Sequence, residues 1–243
     1  MKLRHAVILA AGMGTRLQAV VDDRPKGLIE MGGETLVGRS IELLRDHGIE
    51  AVTIVAGYRA ERYHGFAGGR DGVTVVENRD FANSGSMASL DVALERLAGR
   101  DVLVLESDIV YERRALDTIL TTGEPDATLV SGPTAAGDEV WVSAPGGALV
   151  AMSKARGEVA AILGEFVGIT RLSSAAAVAM RSAFRSFVAR HGHGRMDYET
   201  GALVEIAAAR RVAALLIPDL CWGEIDDERQ HLRVARDIWP RVK

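Results

Sequence analysis

A chain of 243 residues holds one large α/β core or two small ones. No Pro-rich, Ser-rich or single-charge block divides it, so one domain over residues 1–243 is expected. Its 29 Lys and Arg against 33 Asp and Glu offer no basic face for nucleic acid, and the Arg113-Arg114 and Arg210-Arg211 pairs are too short to act as basic arms. A single cysteine, Cys221, excludes a disulfide framework and a cysteine-rich zinc site. With no apolar run of signal-peptide or membrane-spanning length, the sequence predicts a soluble, cytoplasmic protein without a membrane partner.

His5-Ala6-Val7-Ile8-Leu9 is apolar on every side and stops at Ala-Ala-Gly, as a buried parallel strand does. Helical spacing follows at Leu36, Ile41 and Leu44, with Gly48 as its stop signal. Residues 51–55 and 73–76 read as further buried strands, 86–97 as a helix and 102–105 as a fourth strand. This alternation predicts a doubly wound, mostly parallel sheet in a nucleotide-binding half, about residues 1–125. The second half, about 126–243, changes character. Segments near 126–131, 139–143 and 147–152 read as shorter, partly antiparallel strands joined by Gly-rich turns. Residues 166–169 are another strand candidate, and helices are predicted near 173–190, 197–209 and 227–238.

The first strand runs into Gly12-Met13-Gly14. A dinucleotide fingerprint would need a third glycine where Leu17 stands, and an acid closing the second strand where Ala56-Gly57 stands. A phosphate loop would need Gly-Lys-Ser/Thr, and the chain has Gly14-Thr15-Arg16. A bare glycine turn between strand and helix is one reading. The combination GxGTRL offers another, a nest of backbone N–H groups with Arg16 as a planar fork for phosphate oxygens. Arg24-Pro25-Lys26 follows. Proline fixes its own φ and biases Arg24 toward extended backbone, so Lys26 is presented by a stiff segment. A cation held opposite an anion nest suits a triphosphate split between its α and β phosphorus atoms.

Two acidic segments stand out. Leu105-Glu106-Ser107-Asp108-Ile109 ends an apolar strand with carboxylates, although Ser107 or Asp108 could equally cap a helix starting near Glu112. Trp222-Gly223-Glu224-Ile225-Asp226-Asp227-Glu228 is denser. If 222–226 is extended, Glu224 and Asp226 share a face, and with Asp108 they offer hard oxygen ligands for Mg²⁺. Asp227 and Glu228 fit the acidic first turn of a helix better.

LAAGMGTRL followed by RPKGLIEMGG resembles the signature of the nucleotidyltransferases, or pyrophosphorylases, of the MobA-like kind. The likeness is dense over residues 6–33 and thinner on to residue 236. It implies a Rossmann-like α/β fold of the nucleotide-diphospho-sugar transferase type, with a small antiparallel acceptor-binding insertion. It also implies a triphosphate wrapped by Leu9, Ala10, Ala11, Gly12, Gly14, Thr15 and Arg16, with Lys26 facing the α-phosphate. Arg16 and Lys26 are then the catalytic cations, and Asp108 and Asp226 carry the metal. ESDI and WGEIDD are similar to segments of the phosphocholine and phosphonate cytidylyltransferase branch. So are Met152-Ser153-Lys154, where Lys154 takes the place of an acceptor-binding lysine, and GEFVGI over 164–169, with the helix start at Asp197-Tyr198-Glu199. Glu165, Tyr198 and Glu224 join Lys154 as expected acceptor residues. One segment departs: residues 77–90 keep only the Asn-x-x-Phe beginning and the Ser-Leu ending of the branch pattern. Ser84, Gly85, Ser86 and Ser89 are still expected to border the base.

The implied reaction joins CMP from CTP to a small phosphate or phosphonate of the phosphocholine, 2-aminoethylphosphonate or phosphonoformate type, with release of pyrophosphate. Tyr111, Trp141 and Trp222 are candidate rings for a cationic tail, and Arg79, Arg171 and Arg195 candidate partners for an anionic one. A sugar-1-phosphate nucleotidyltransferase and a catalytically silent regulatory member are the alternatives. A homodimer through the second-half strands is a further expectation.

Overall fold

The computed structural model describes residues 3–17 and 24–242, so residues 18–23 of the glycine-loop motif lie outside the described residues. The first half follows a strand–helix rhythm: β1 (His5–Ala10), the two-residue strands β2 (Glu30–Met31) and β3 (Glu34–Thr35), α1 (Leu36–Asp46), β4 (Ala51–Ala56), α2 (Ala60–Ala67), β5 (Val73–Glu77), α3 (Ser86–Arg96) and β6 (Val102–Glu106). Next come β7 (Ile109–Tyr111), α4 (Arg114–Thr121), β8 (Ala127–Ser131), β9 (Trp141–Ser143), β10 (Ala151–Ser153) and the eleven-residue β11 (Ile162–Leu172). The chain ends through α5 (Ser174–His191), a wide helical turn (Tyr198–Leu203) leading into α6 (Val204–Ala207), β12 (Ala213–Ile217), β13 (Trp222–Glu224), α7 (Glu228–Arg233), a second wide turn (Val234–Ile238) and α8 (Trp239–Val242).

β5, β4, β1 and β6 are parallel neighbours in that order. β11 runs antiparallel to β6 through residues 169–172 and, on the same edge, to β9 through 162–165. Its other edge pairs with β8, which β12 extends in parallel. Apolar layers cover both faces. Val37, Ile41 and Leu44 of α1 and Leu116 and Ile119 of α4 pack on one, and Met87 and Leu90 of α3 and Met180 of α5 on the other. The sheet is thus doubly wound and mostly parallel, as expected. Because β1 sits between β4 and β6, with α1 and α3 on opposite faces, the chain reverses its winding there. The crevice such a reversal opens lies beyond the carboxyl ends of β1 and β6.

Local chemistry explains the elements that were legible. Thr35 caps α1 by accepting a hydrogen bond from Gly38 N at 3.0 Å, and Gly48, at φ 82°, ends the turn that follows. The strand expected over 166–169 is longer, and its register shifts around Gly168, whose φ of 83° suits glycine. The helix expected near Glu112 starts at Arg114 instead, because residues 109–111 are taken by β7.

Candidate active site

The site grows from the ends of β1 and β6. After Ala10 the chain turns through Ala11–Gly14, and Leu17, fully buried, anchors the loop in a small apolar cluster with Ile29, Val110, Ile225 and Val234. One such burial stabilises by about 2 kcal/mol. Gly14, at φ 58°, lies against the stem of Lys26, so closely that a Cβ there would come 3.0 Å from Lys26 Cγ. Lys26 opens a short 3-10 turn after Pro25. The turn is seated by Gly27, where a Cβ would meet Val37 Cγ2 at 2.6 Å and the Tyr63 hydroxyl at 2.8 Å.

The acidic side is assembled by a pairing distant in sequence. β7 and β13 form a two-stranded antiparallel ribbon with Glu224 opposite Ile109, and Ile225 N donates to Asp108 O at 3.0 Å. Asp108 and Asp226 are thereby brought to the same lysine. Lys26 Nζ donates to Asp108 Oδ2 at 2.9 Å and also to Asp226 Oδ1, while Arg16 Nη2 reaches Asp226 Oδ2 at 2.6 Å. The ligand atoms of Asp138, Glu224 and Asp226 lie within 4.8 Å of one another.

Two cavities meet here. The first, about 270 Å³, is lined by Leu9, Ala10, Ala11 and Gly12 from the β1 end, by Ser84, Gly85, Ser86 and Ser89 around the start of α3, and by Lys26 and Asp108. The second, about 420 Å³, is lined by Arg16, Asp138, Glu139, Lys154, Glu165 and Glu199. Glu106, Glu224 and Asp226 line both and form the shared wall. At the α3 end, buried Asn78 donates to the hydroxyls of Ser84 and Ser89, both at 3.0 Å, and Ser86 Oγ accepts from Tyr198 N at 2.8 Å.

The acids crowd one another. Burial, then the charges of Glu199, Asp108 and Glu224, hold Glu106 well above the usual carboxylate range, against a hydrogen bond from the Tyr198 hydroxyl. Burial, then Asp108 and Asp138, push Glu224 up to about 8, although Lys26 pulls it down. Burial and then Asp197 raise Glu199. Desolvated carboxylates that repel one another favour an arriving cation.

Most residues singled out from sequence converge here, with exceptions. Gly14 and Thr15 do not line either cavity. Gly14 is spent on packing against Lys26, and Thr15 is exposed. Tyr198, expected on the acceptor side, is fully buried in the wall of the first cavity, with its hydroxyl 3.3 Å from Glu106 Oε1. The three candidate rings line neither cavity. Tyr111 is buried in the core, Trp222 donates Nε1 to Ser131 Oγ at 2.8 Å, and the Arg156 guanidinium lies over Trp141 at 5.0 Å. Arg79, Arg171 and Arg195 are elsewhere too. Arg79 is exposed beside Glu77, Arg171 donates to Thr122 O and Arg195 to Asn83 O. Sequence reasoning missed Asp138, Glu139 and Glu199. Asp138 and Glu139 follow Gly137 in a turn, and nothing local marks them as facing Glu224.

A crevice at the carboxyl ends of parallel strands, walled by a glycine turn and by a lysine between two aspartates, is the architecture of a nucleotide-handling α/β protein. The chain belongs to the family of the MobA-like NTP transferase domain, whose model matches residues 6–194. It is 31% identical over 239 residues to the CMP-5'-(3-aminopropyl)phosphonate synthase of Streptomyces rubellomurinus, covering 92% of this chain and 37% of that protein. It is 35% identical over 98 residues to the choline-phosphate cytidylyltransferase of Streptococcus pneumoniae, covering 40% of this chain and 42% of that one. The chain thus spans less than half the length of these relatives. The same fold is found in the inositol-1-phosphate CTP transferase of T. maritima, with a TM-score of 0.78 and 21% identity over 95% of this chain and 92% of that one. Among the described residues, no helix is long and apolar enough to cross a membrane.

Proposed function

We propose that the protein is a cytidylyltransferase that joins CMP from CTP to a small phosphate or phosphonate with a positively charged far end, releasing pyrophosphate. The observation that carries this reading is the second cavity. It adjoins the Lys26 site through Glu106, Glu224 and Asp226, and it sets seven carboxylates against Arg16 and Lys154. An anionic tail would add to that repulsion, and a neutral sugar would bring no positive charge to offset it. The cytosine base and the phosphonate or phosphocholine class rest on the relatives named above.

In this reading the acceptor oxygen attacks the α-phosphorus, its bond to the β-phosphate oxygen breaks, and pyrophosphate leaves in line. A phosphate monoester, with a second pKa of about 6, is largely dianionic near neutrality, and a phosphonate is partly so, so the attacking oxygen needs no general base. Lys26 and Arg16 leave their aspartates to neutralise the phosphates, and the backbone N–H groups around Gly12 cradle the outer ones. Lys154, now 3.9 Å from Asp197, holds the acceptor's oxygens and limits repulsion between two anions. Asp108 and Asp226, with Glu224 nearby, are a hard oxygen set that fits Mg²⁺. Bound there, Mg²⁺ would neutralise charge on the triphosphate.

The test is pyrophosphate release with Mg²⁺, crossing CTP, UTP, dTTP and ATP with 3-aminopropylphosphonate, 2-aminoethylphosphonate, phosphocholine, phosphonoformate and glucose-1-phosphate. Turnover confined to CTP and a cation-tailed acceptor is expected. Turnover with UTP or dTTP and glucose-1-phosphate would replace this reading with the sugar one. CTP binding without turnover on any acceptor would favour a regulatory role.

A further inference from the structure

Residues 132–139 run along the second cavity and are held from two sides. From β11, Glu165 accepts hydrogen bonds from Thr134 N at 2.7 Å and Thr134 Oγ1 at 2.9 Å. From α7, Arg233 donates to Thr134 O at 3.4 Å, Arg229 to Ala136 O and Gln230 Nε2 to Asp138 Oδ2 at 2.6 Å. Ala135 is held at φ 55°, a left-handed conformation that a non-glycine residue keeps only where the surroundings impose it.

Gln230 does more than tie the segment down. Its side chain is buried, 2% exposed, and its Oε1 accepts from Asp226 N at 2.6 Å. One carboxamide therefore fixes the carboxylate of Asp138 and the backbone of Asp226, residues that approach through two different elements. Asp138 differs from its neighbours in one respect. Glu224 and Asp226 line both cavities, whereas Asp138 lines only the second.

We propose that Gln230 is a positioning residue that holds Asp138 toward the acceptor's cationic end, and that Asp138 is a specificity-determining residue for the reaction proposed above, on which this inference rests. The Gln230 bond uses one carboxylate oxygen of Asp138, and an ammonium group needs only the other. A buried donor of fixed direction also keeps Asp138 from swinging toward Lys26, so its charge stays on the acceptor side of the shared wall.

The experiment compares kcat/KM for 3-aminopropylphosphonate with that for propylphosphonate, which lacks only the ammonium, at saturating CTP and Mg²⁺. Asp138→Asn keeps an oxygen for Gln230 and removes only the charge. It should lower the amine-to-alkyl ratio at least tenfold and leave the KM for CTP within twofold of wild type. Gln230→Glu keeps an oxygen for Asp226 N but places a carboxylate against Asp138, and should lower the ratio similarly. In the D138N/Q230E double variant an Asn–Glu hydrogen bond re-forms, so the melting temperature should recover toward wild type while the ratio stays low. That split separates a charge role from a merely structural one. An unchanged ratio in Asp138→Asn, with wild type active, would overturn the inference and leave the proposed function standing. So would a raised CTP KM or divalent-ion requirement at an unchanged ratio, which would make Asp138 a metal ligand. If the wild type prefers 2-aminoethylphosphonate or phosphocholine, the same ratio is read with that acceptor against its uncharged analogue, ethylphosphonate or 3,3-dimethylbutyl phosphate. A wild type that transfers to no cation-tailed acceptor would overturn the parent reading and this inference with it.

Discussion

Replacing Lys26 by Met removes a charge and little else, because the methionine stem can still pack against Gly14. In the wild type Lys26 Nζ serves both Asp108 and Asp226, and these side chains are 17%, 18% and 12% exposed in turn, so solvent screens the pairs only partly. Charge-assisted hydrogen bonds of this kind are worth about 1.5–3 kcal/mol each. A divalent cation that uses Asp108 and Asp226 must first draw Lys26 away. Removing that competitor should therefore tighten Mn²⁺ binding to the nucleotide-free protein by about 10- to 100-fold, at ~1.4 kcal/mol per decade. In the proposed reaction the same substitution would remove a cation that meets the reacting phosphate, and should slow transfer by about 10²–10³. Titration calorimetry with Mn²⁺, run on wild type and Lys26→Met with pyrophosphate release measured in parallel, reads both effects. Unchanged Mn²⁺ affinity would show that lysine and metal do not compete for these carboxylates, and the account of the site would be wrong however far the rate had fallen.

Gly27→Ala should drive a methyl group into Val37 and the Tyr63 hydroxyl, cost about 1–3 kcal/mol and displace Lys26. A variant that melts with the wild type and transfers at full rate would refute that packing argument. Glu165 gives a pH signature. Burial pushes it up to about 7, against two hydrogen bonds from Thr134 that pull it down. The folded state then keeps a proton that the unfolded chain has released, so stability should fall as pH rises from about 4.5 to about 7, by on the order of 1–3 kcal/mol. Glu165→Gln should flatten that decline in urea unfolding at pH 5 and pH 7.5, and an equal decline in both proteins would count against it.

What the sequence revealed was what is local. β1, β4, β6, α1 and α3 carry their own apolar runs and their own stops, and Lys26 is announced by the stiff Arg24-Pro25 before it. α2 escaped because it buries only Tyr63 and so has no apolar stripe to read. β7 escaped for another reason, and β13 was legible only on the condition that 222–226 is extended: each is three residues long and pairs with the other, more than a hundred residues away. Asp138 is equally silent, since its partner Gln230 is 92 positions distant. The aromatic residues misled because a buried tryptophan that satisfies its own N–H, as Trp222 does on Ser131, cannot be told by sequence from one facing a ligand.

The charges of the joined cavities carry the argument one step further. Among the described residues, eight carboxylates line them against Arg16, Lys26 and Lys154. A triphosphate entering alone would meet net repulsion, although Lys26 and Arg16 stand nearby, because both are already engaged with aspartates. If the triphosphate arrives with a divalent cation, one exchange resolves the conflict: the cation takes over the aspartates and the two side chains move to the phosphates. The acceptor poses the same problem on the other side of the wall, since its phosphonate must come close to a second polyanion. In the proposed reading Lys154 would meet the phosphonate and an ammonium at the far end would meet Asp138, so charge would be matched at both ends of a small molecule. A dianion with a carboxylate tail could satisfy Lys154 but would still face Asp138 and Glu139 without a counter-ion, which is why the discrimination is expected at the tail rather than at the phosphorus.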